Sequence, residues 1–554
     1  MIVLSFILFL FKPILFTCDI LTIHSNLKFF NVLIDSPFYW RIVKLLFIFS
    51  LVTSNIIIFN FIFSLFIHTN QNKKNNIIAP NFGLCIGKDL HNNNVYIPES
   101  SLYQNILVTG CIGSGKTSSA LYPFTFQLMK YESSNCIKKL GFLILDVKGN
   151  YSNKVLEFAH SCNRESDVIV IEINGFYKYN PLDKPDIKAS VLANRLKNIL
   201  LLFSPNNSES YWIDKAEQIL EACINFCRLY NNYYVSFDEI HKLVTNYEYF
   251  SQKVSTIRKI FLSGNLSDAE IYNLHSSISF LENDYFCLDS RNFNLLKSEI
   301  TRITNCFVSD YEVKKTFCPS KINENFFGFD EAIRDGKIVV LNMNIAQYKN
   351  LSKIISAYLK LDFQTDVLKR LSNSPTFVRP MVFISDEYQE YVTSSDADFF
   401  SQSREAKCIN IISTQSYTSI LNSLNSQYSA KVIIQNLVNK LWFRTDDIFT
   451  IEDIQKQIGK EEKSKISKTF SENSKQSNYD CFFKNFISVD SNLSESINSY
   501  SQFDYIFDYK FFTQDLDTFS CVAFLSTGKS IIKPQKLNML PYFLKEDFYE
   551  NKKK

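Results

Sequence analysis

The sequence has almost no net charge, no C-x-x-C cysteine pair and no internal repeat. Lys and Arg outnumber Asp and Glu by only 59 to 56, which gives a formal net charge of +3. Such a balance offers no global electrostatic argument for nucleic-acid binding, so any nucleic-acid surface must be local. The 13 cysteines include no C-x-x-C pair, and Cys223 with Cys227 has no second pair of ligands nearby. We therefore expect reduced thiols in a reducing, cytosolic compartment, with no zinc site or disulfide framework.

The length and composition are those of a globular protein with several units. The chain has 554 residues, of which 46% are hydrophobic and 21% are charged. A chain of this length is too long to fold around a single hydrophobic core. We expect two or three soluble units behind any membrane segment.

Two apolar segments lie near the amino terminus. Residues 42–67 contain one charge, Lys44, and exceed the roughly 20 residues that cross a bilayer. Residues 2–23 are also apolar but are interrupted by Lys12, Pro13 and Asp19. We predict two transmembrane helices, because the first segment lacks the basic start and cleavage site of a signal peptide. Lys73 and Lys74 after the second segment favour a cytoplasmic location for the rest of the chain.

A phosphate-binding loop follows the strand-like lead NILVTG and precedes a helix-compatible segment. Glycines in such a loop let backbone N–H groups and a helix amino terminus approach phosphates. We expect Lys116 to neutralise the β- and γ-phosphates of ATP and the Thr117 hydroxyl to ligate Mg²⁺. The predicted nucleotide-binding residues are Gly110, Cys111, Ile112, Gly113, Ser114, Gly115, Lys116, Thr117 and Ser118. Because ATP is intracellular, both chain termini should face the cytoplasm.

Two apolar segments of buried-strand type end in acidic residues. GFLILD ends at Asp146, and PMVFISDE ends at Asp386 and Glu387. The second segment suits hydrolysis better, since Asp386 can hold the metal through water while Glu387 polarises the attacking water. Asp146 is secondary, and the alternative for it is a strand that ends in a solvated turn.

A third apolar strand, INIISTQS, supplies further candidates. Gln415 at its end is placed to sense the γ-phosphate and orient water, as glutamines do in other P-loop enzymes. Arg404, shortly upstream, is a candidate arginine finger for the site of a neighbouring subunit. A solvated helix face is the competing interpretation of Arg404.

Two other regions have a recognisable character. Residues 185–311 show apolar residues at helical spacing, as in VLANRLKNILLLF, and predict an inserted all-α domain. Residues 456–480 are rich in Lys, Ser and Asn, which predicts a solvated loop. Its lysines could touch a phosphate backbone if the loop lined a pore; they are Lys460, Lys463, Lys465, Lys468 and Lys475.

The order of these motifs resembles that of the type IV secretion coupling proteins, the TraG/TraD family of conjugative DNA-transfer ATPases. After the two apolar segments come, in that family's order, VTGCIGSGKT, LILDVKGNYS, YNPLD, SYWIDKAEQILEA, FDEAIRDGKIVVLNM, FISDEYQEY and SREAKCINIISTQS. The resemblance extends to about residue 530. One departure is Asn150, which stands where the family often has Glu after D-x-K-G.

The resemblance implies an α/β fold with a RecA-like P-loop NTPase domain, an inserted all-α domain and two preceding transmembrane helices. The implied units are a membrane anchor at 1–76, a nucleotide-binding domain at 77–184 and 312–550, and the all-α domain at 185–311. The implied assembly is a homo-hexamer in the bacterial inner membrane, with its bulk in the cytoplasm. The implied cofactors are ATP and Mg²⁺.

The resemblance also implies partners, and it leaves the cargo open. The partners are the secretion channel, a relaxase or accessory factor, and DNA or secreted proteins, with DNA bound without sequence preference. One alternative is a catalytically slow docking receptor, against which the intact Lys116, Thr117, Asp386 and Glu387 argue. A septal-type DNA translocase would carry more membrane spans and a winged-helix tail. An ABC transporter would need an LSGGQ-like signature just before the Asp386 strand, and none is there.

Overall fold

The structure is a computed structural model that describes residues 42, 45, 49, 82–203, 210–262, 267–373, 378–424, 426–473 and 492–544. Apart from residues 42, 45 and 49, the two predicted membrane segments lie outside the described residues. Within the described ranges, no helix combines the length and the hydropathy of a bilayer span. The fold described below lies in one compact unit, Ala79–Lys554.

The described residues form an eleven-stranded mixed sheet and a separate two-stranded ribbon. The sheet order is β2-β1-β13-β12-β9-β3-β8-β7-β4-β6-β5. All pairs from β9 to β5 are parallel, and the pairs on the β2 side are antiparallel. The strands are β1 Gly83–Lys88, β2 Asn94–Pro98, β3 Ile106–Thr109, β4 Gly141–Asp146, β5 Val168–Ile171, β6 Ile338–Asn342, β7 Met381–Ser385, β8 Cys408–Thr414, β9 Asn439–Phe443, β10 Lys460–Asn473, β11 Asn492–Tyr505, β12 Ser520–Phe524 and β13 Gln535–Met539.

Helices cover both faces of the sheet, which explains why β3, β4 and β7 are almost continuously apolar. In β4, Phe142 and Ile144 pack into one hydrophobic core, and Leu143 and Leu145 pack into the other. Alternate residues of a strand point to opposite faces, so a strand buried on both sides needs apolar residues throughout. The predicted α/β class is therefore confirmed.

A run of helices separates β5 from β6. A π-helical turn, Thr117–Leu121, leads into α2, and α12 is kinked at Lys349, where φ is 44°. The α-helices are α1 Glu99–Leu102, α2 Tyr122–Lys130, α3 Tyr151–Ser161, α4 Ala189–Leu201, α5 Ser210–Tyr230, α6 Phe237–Thr245, α7 Tyr247–Leu262, α8 Asp268–Ser279, α9 Ser290–Val308, α10 Tyr311–Phe317, α11 Phe329–Asp335, α12 Ile345–Asn373, α13 Asp396–Gln402, α14 Tyr417–Leu424, α15 Gln427–Asn436 and α16 Ile448–Ile458.

The prediction of a solvated loop at residues 456–480 was wrong for its described part. Residue 456 lies in α16, and Lys460–Asn473 forms β10, which pairs antiparallel with β11 from Lys460↔Tyr505 to Asn473↔Asn492. The backbone ladder pairs alternate N–H and C=O groups of this polar segment with β11, and the others face outward from the ribbon, so no apolar core is needed. Composition misled the prediction because a two-stranded ribbon needs few large apolar residues. Lys475 lies outside the described residues.

Candidate nucleotide-binding site

The phosphate loop joins β3 to the π-helical turn at Thr117, at the carboxyl edge of the parallel strands. That edge is where ligands bind in open α/β sheets. The backbone there demands glycine: Gly115 has φ +96°, and a Cβ on Gly110 would lie 2.6 Å from Cβ of Phe443. The loop is also anchored from outside, because the N–H of Cys111 donates to the Arg444 carbonyl at 2.8 Å. A π-helical turn is a rare element that recurs at functional sites.

Lys116 is buried and folds back onto its own loop. Its Nζ donates to the carbonyl oxygens of Gly110 at 2.5 Å and Cys111 at 3.1 Å. Burial lowers the pKa of Lys116 below its ordinary value, although the carboxylates of Glu387 and Asp386 oppose that shift. An ammonium held this way is placed to exchange carbonyl contacts for phosphate oxygens.

Thr117 and Asp386 meet across the site. The Thr117 hydroxyl donates to Oδ2 of Asp386 at 2.9 Å, although the two residues belong to different motifs far apart in the chain. Asp386 follows β7 and is almost fully buried. Burial raises the pKa of Asp386, although the Lys148 ammonium works in the opposite direction. A buried, poorly solvated carboxylate beside a hydroxyl fits a hard, oxygen-preferring cation such as Mg²⁺, so these residues fit the predicted metal.

Glu387 adopts a left-handed backbone conformation, with φ 49° and ψ 48°. For a residue other than Gly this conformation is uncommon and often marks a functional constraint. Its carboxylate accepts hydrogen bonds from Lys148 Nζ at 2.7 Å, Gln389 Nε2 at 2.7 Å and Gln415 Nε2 at 3.1 Å. Burial alone would raise the pKa of Glu387, but these partners hold it below its ordinary value. The structure thus places the predicted Gln415 within hydrogen-bonding distance of the predicted Glu387.

Asp146 is buried and accepts backbone hydrogen bonds, so the alternative of a solvated turn was wrong. Its carboxylate accepts from the N–H groups of Lys148 at 2.9 Å, Asn150 at 3.2 Å and Tyr151 at 3.1 Å. Asp146 therefore fixes the turn after β4 and caps the start of α3. Sequence could not distinguish this structural task from metal binding, because both place an acid at the end of a buried strand.

The remaining predicted residues lie at two edges of the sheet. Ile112 and Gly113 are exposed in the phosphate loop, and the Ser118 hydroxyl donates to the Gly115 carbonyl at 3.3 Å. Arg404 is exposed just before β8 begins. That position is at the opposite edge of the sheet from the phosphate loop, so Arg404 is not part of its own chain's site. Its role in a neighbouring subunit stays a prediction.

Lys148 is the residue that sequence reasoning missed. Its Nζ lies 2.7 Å from Oε1 of Glu387 and 3.8 Å from Oδ2 of Asp386. The DVKG turn gave one signal, because a Lys two residues beyond a buried strand end faces the same edge of the sheet as the other motifs. Sequence alone does not show which acids are there.

Part of the chain matches a known protein family. Residues 380–499, which include the Asp386–Glu387 pair and Gln415, match the family model described as the TraM recognition site of TraD and TraG. A comparison with curated proteins finds no match.

Solved structures of a conjugative coupling protein, TrwB, share the fold. The unbound form of TrwBdeltaN70 is 11% identical and aligns with a TM-score of 0.52, covering 82% of this chain and 88% of that chain. TrwB in complex with ADP and Mg²⁺ is 12% identical with a TM-score of 0.53, covering 81% and 88%. TrwB in complex with the ATP analogue ADPNP is 11% identical with a TM-score of 0.52, covering 80% and 86%. The family model over residues 380–499 and the shared fold over most of both chains together confirm the resemblance of this chain to the type IV secretion coupling proteins.

Proposed function

We propose that the chain is a type IV coupling ATPase, which hydrolyses ATP with Mg²⁺ to drive DNA or protein into a secretion channel. The observation that carries this proposal is the 2.9 Å hydrogen bond between Thr117 and Asp386. It joins the phosphate loop to the acidic pair of a second motif, as a nucleoside triphosphatase requires. TrwB, whose fold the chain shares, has been solved with ADP and Mg²⁺ and with an ATP analogue.

Each residue of the site has a task in this proposal. The backbone N–H groups of the phosphate loop and the Lys116 ammonium bind the phosphates, and Thr117 with Asp386 would hold Mg²⁺. When bound, that ion neutralises charge on the phosphate oxygens. Glu387 accepts a proton from the attacking water. Gln415, which is hydrogen-bonded to Glu387, orients that water. The buried setting of the acids strengthens these electrostatic interactions.

The assembly, membrane anchor and partners belong to the same proposal. We propose two amino-terminal spans in a bacterial inner membrane, a cytoplasmic homo-hexamer, and Arg404 as a finger toward the adjacent subunit. The match to a TraM recognition site supports contact of residues 380–499 with an accessory protein of that kind. The proposed cargo is a relaxase-bound single strand, effector proteins, or both.

The proposal is tested by ATP hydrolysis with and without DNA. We expect the full-length protein to hydrolyse ATP faster when single-stranded DNA is added, and the Lys116→Ala variant to lose that activity. A wild-type protein that binds ATP and Mg²⁺ but does not hydrolyse ATP, whether DNA or secreted protein is added, would favour the docking receptor. Crosslinking in cells, with identification of the trapped cargo, separates DNA transfer from effector export.

A further inference from the structure

The Lys148 ammonium connects the two acids of the site, and none of the roles assigned above uses it. Its backbone is fixed, because its N–H donates to Oδ1 of Asp146 at 2.9 Å. Its side chain is 51% exposed, whereas those of Asp386 and Glu387 are 2% and 9% exposed. The acids are therefore buried in the fold, and the ammonium is the solvent-exposed partner.

The ammonium also lies close to where a triphosphate would end. Oδ2 of Asp386 is 2.9 Å from the Thr117 hydroxyl and 3.8 Å from Lys148 Nζ. A single carboxylate oxygen thus separates Lys148 from the hydroxyl that would ligate Mg²⁺. In P-loop enzymes that hydroxyl and its metal lie beside the β- and γ-phosphates.

We propose that Lys148 binds the γ-phosphate of ATP, and that its pairing with Glu387 in the present arrangement restrains the general base until a γ-phosphate arrives. This inference rests on the proposed ATPase function. In the absence of a γ-phosphate, the Lys148 ammonium occupies Oε1 of Glu387 at 2.7 Å, so this oxygen is already engaged when a water approaches. A terminal phosphate competes for the ammonium and leaves Glu387 with its two amide partners, Gln389 and Gln415. ADP has no γ-phosphate to compete, so Lys148 stays on Glu387.

A purely structural salt bridge is the alternative, and it makes a different prediction. A pair with a half-exposed lysine contributes little to stability, and its loss would not distinguish ATP from ADP. A γ-phosphate ligand affects the two nucleotides unequally. The ratio of the affinity for ATP to the affinity for ADP therefore decides whether Lys148 is a phosphate ligand or only part of a structural salt bridge.

The experiment measures dissociation constants of ADP and of a non-hydrolysable ATP analogue, each with Mg²⁺, on the full-length protein. We expect Lys148→Met to weaken binding of the analogue about tenfold or more, the loss of a charge-assisted hydrogen bond, and to change ADP binding less than about twofold. Lys148→Arg, which keeps the charge, should retain much of the preference for the ATP analogue over ADP. Lys456→Met is the matched control, because Lys456 pairs with Glu452 on the exposed face of α16.

Each outcome has one interpretation. Equal losses for both nucleotides, or no loss for either, would overturn the assignment of Lys148 while leaving the ATPase proposal intact. A wild-type protein that binds neither nucleotide would instead refute the proposed function.

Discussion

Lys360 and Asp362 lie two residues apart on α12, and their fully buried side chains belong to two different ion-pair networks. Lys360 Nζ lies 2.6 Å from Oδ2 of Asp396, in the segment that follows Glu387. Asp362 accepts from Lys184 at 2.9 Å and from Arg195 at 2.9 Å, where the chain enters the inserted helices. One helix therefore connects the acidic loop of the nucleotide site to the base of the helical region.

The Asp396 network holds the loop in which Glu387 stands. Asp396 accepts hydrogen bonds from the Tyr388 hydroxyl, from Gln364 at 2.9 Å and from the Thr393 N–H at 2.9 Å. Because Tyr388 follows Glu387 directly, this buried carboxylate fixes the turn that gives Glu387 its left-handed backbone.

The first prediction concerns Glu387. The Glu387→Gln substitution keeps the shape and one hydrogen-bond acceptor but removes the proton acceptor. We expect kcat to fall by about 10²–10⁴-fold, the usual contribution of a general base, while the affinity for ATP changes little. Steady-state hydrolysis and equilibrium binding measure the two quantities. A variant that loses affinity and keeps its rate would place Glu387 outside the chemistry.

The second prediction concerns Asp396. The Asp396→Asn substitution leaves the Lys360 ammonium buried without a counter-charge, so we expect the free energy of unfolding to fall by about 3–5 kcal/mol. The Asp396→Leu, Lys360→Met double variant removes both charges and should recover part of that loss. Urea unfolding of the full-length protein measures both. The exposed pair of Lys456 and Glu452 is the control, since its removal costs at most about 0.5 kcal/mol.

The third prediction concerns pH and Glu324. Burial raises the pKa of Glu324 from 4.5 to about 8, and the Asp183 carboxylate adds to the shift while Lys184 opposes it. The native state therefore keeps a proton that the unfolded chain releases above pH 4.5. Stability contributed by this group is present at low pH and is lost as pH rises toward about 8.

The Glu324→Gln substitution, which stays neutral, should flatten that loss. Unfolding free energies measured across this pH range test the expectation. Exposed Glu248→Gln is the control and should leave the pH profile as in the wild type. A Glu324→Gln profile parallel to that of the wild type would contradict the assignment.

The fourth prediction concerns Gly115. In the Gly115→Ala variant the new Cβ would lie 2.5 Å from Cδ1 of Phe519, at a φ of +96°. We expect weaker ATP binding and a loss of stability of at least about 1–2 kcal/mol from the left-handed conformation alone. Gly459→Ala provides the matched control, because Gly459 has φ +91° and no atom within 4 Å of its Cβ position. It should lose stability but keep its ATP affinity.

The sequence predicted the local parts of the site well and their connections incompletely. Each of the correctly predicted motifs consists of consecutive residues. They are the phosphate loop, the apolar strand before Asp386 and the strand before Gln415. The partner of Glu387 was missed because Lys148 is remote from it in sequence. The β10 ribbon was missed because pairing between backbones leaves little mark on composition.

What the sequence by itself determined is the set of buried strands, the glycine-dependent loop and the residue types that end each strand, since period, apolar content and turn chemistry are local properties. Only the tertiary structure showed that Asp386 accepts a hydrogen bond from Thr117, that Asp146 caps a turn, and that Lys148 pairs with Glu387. These outcomes depend on the order of strands in the sheet, because neighbouring strand ends, and not neighbouring residues, bring the charged groups within hydrogen-bonding distance.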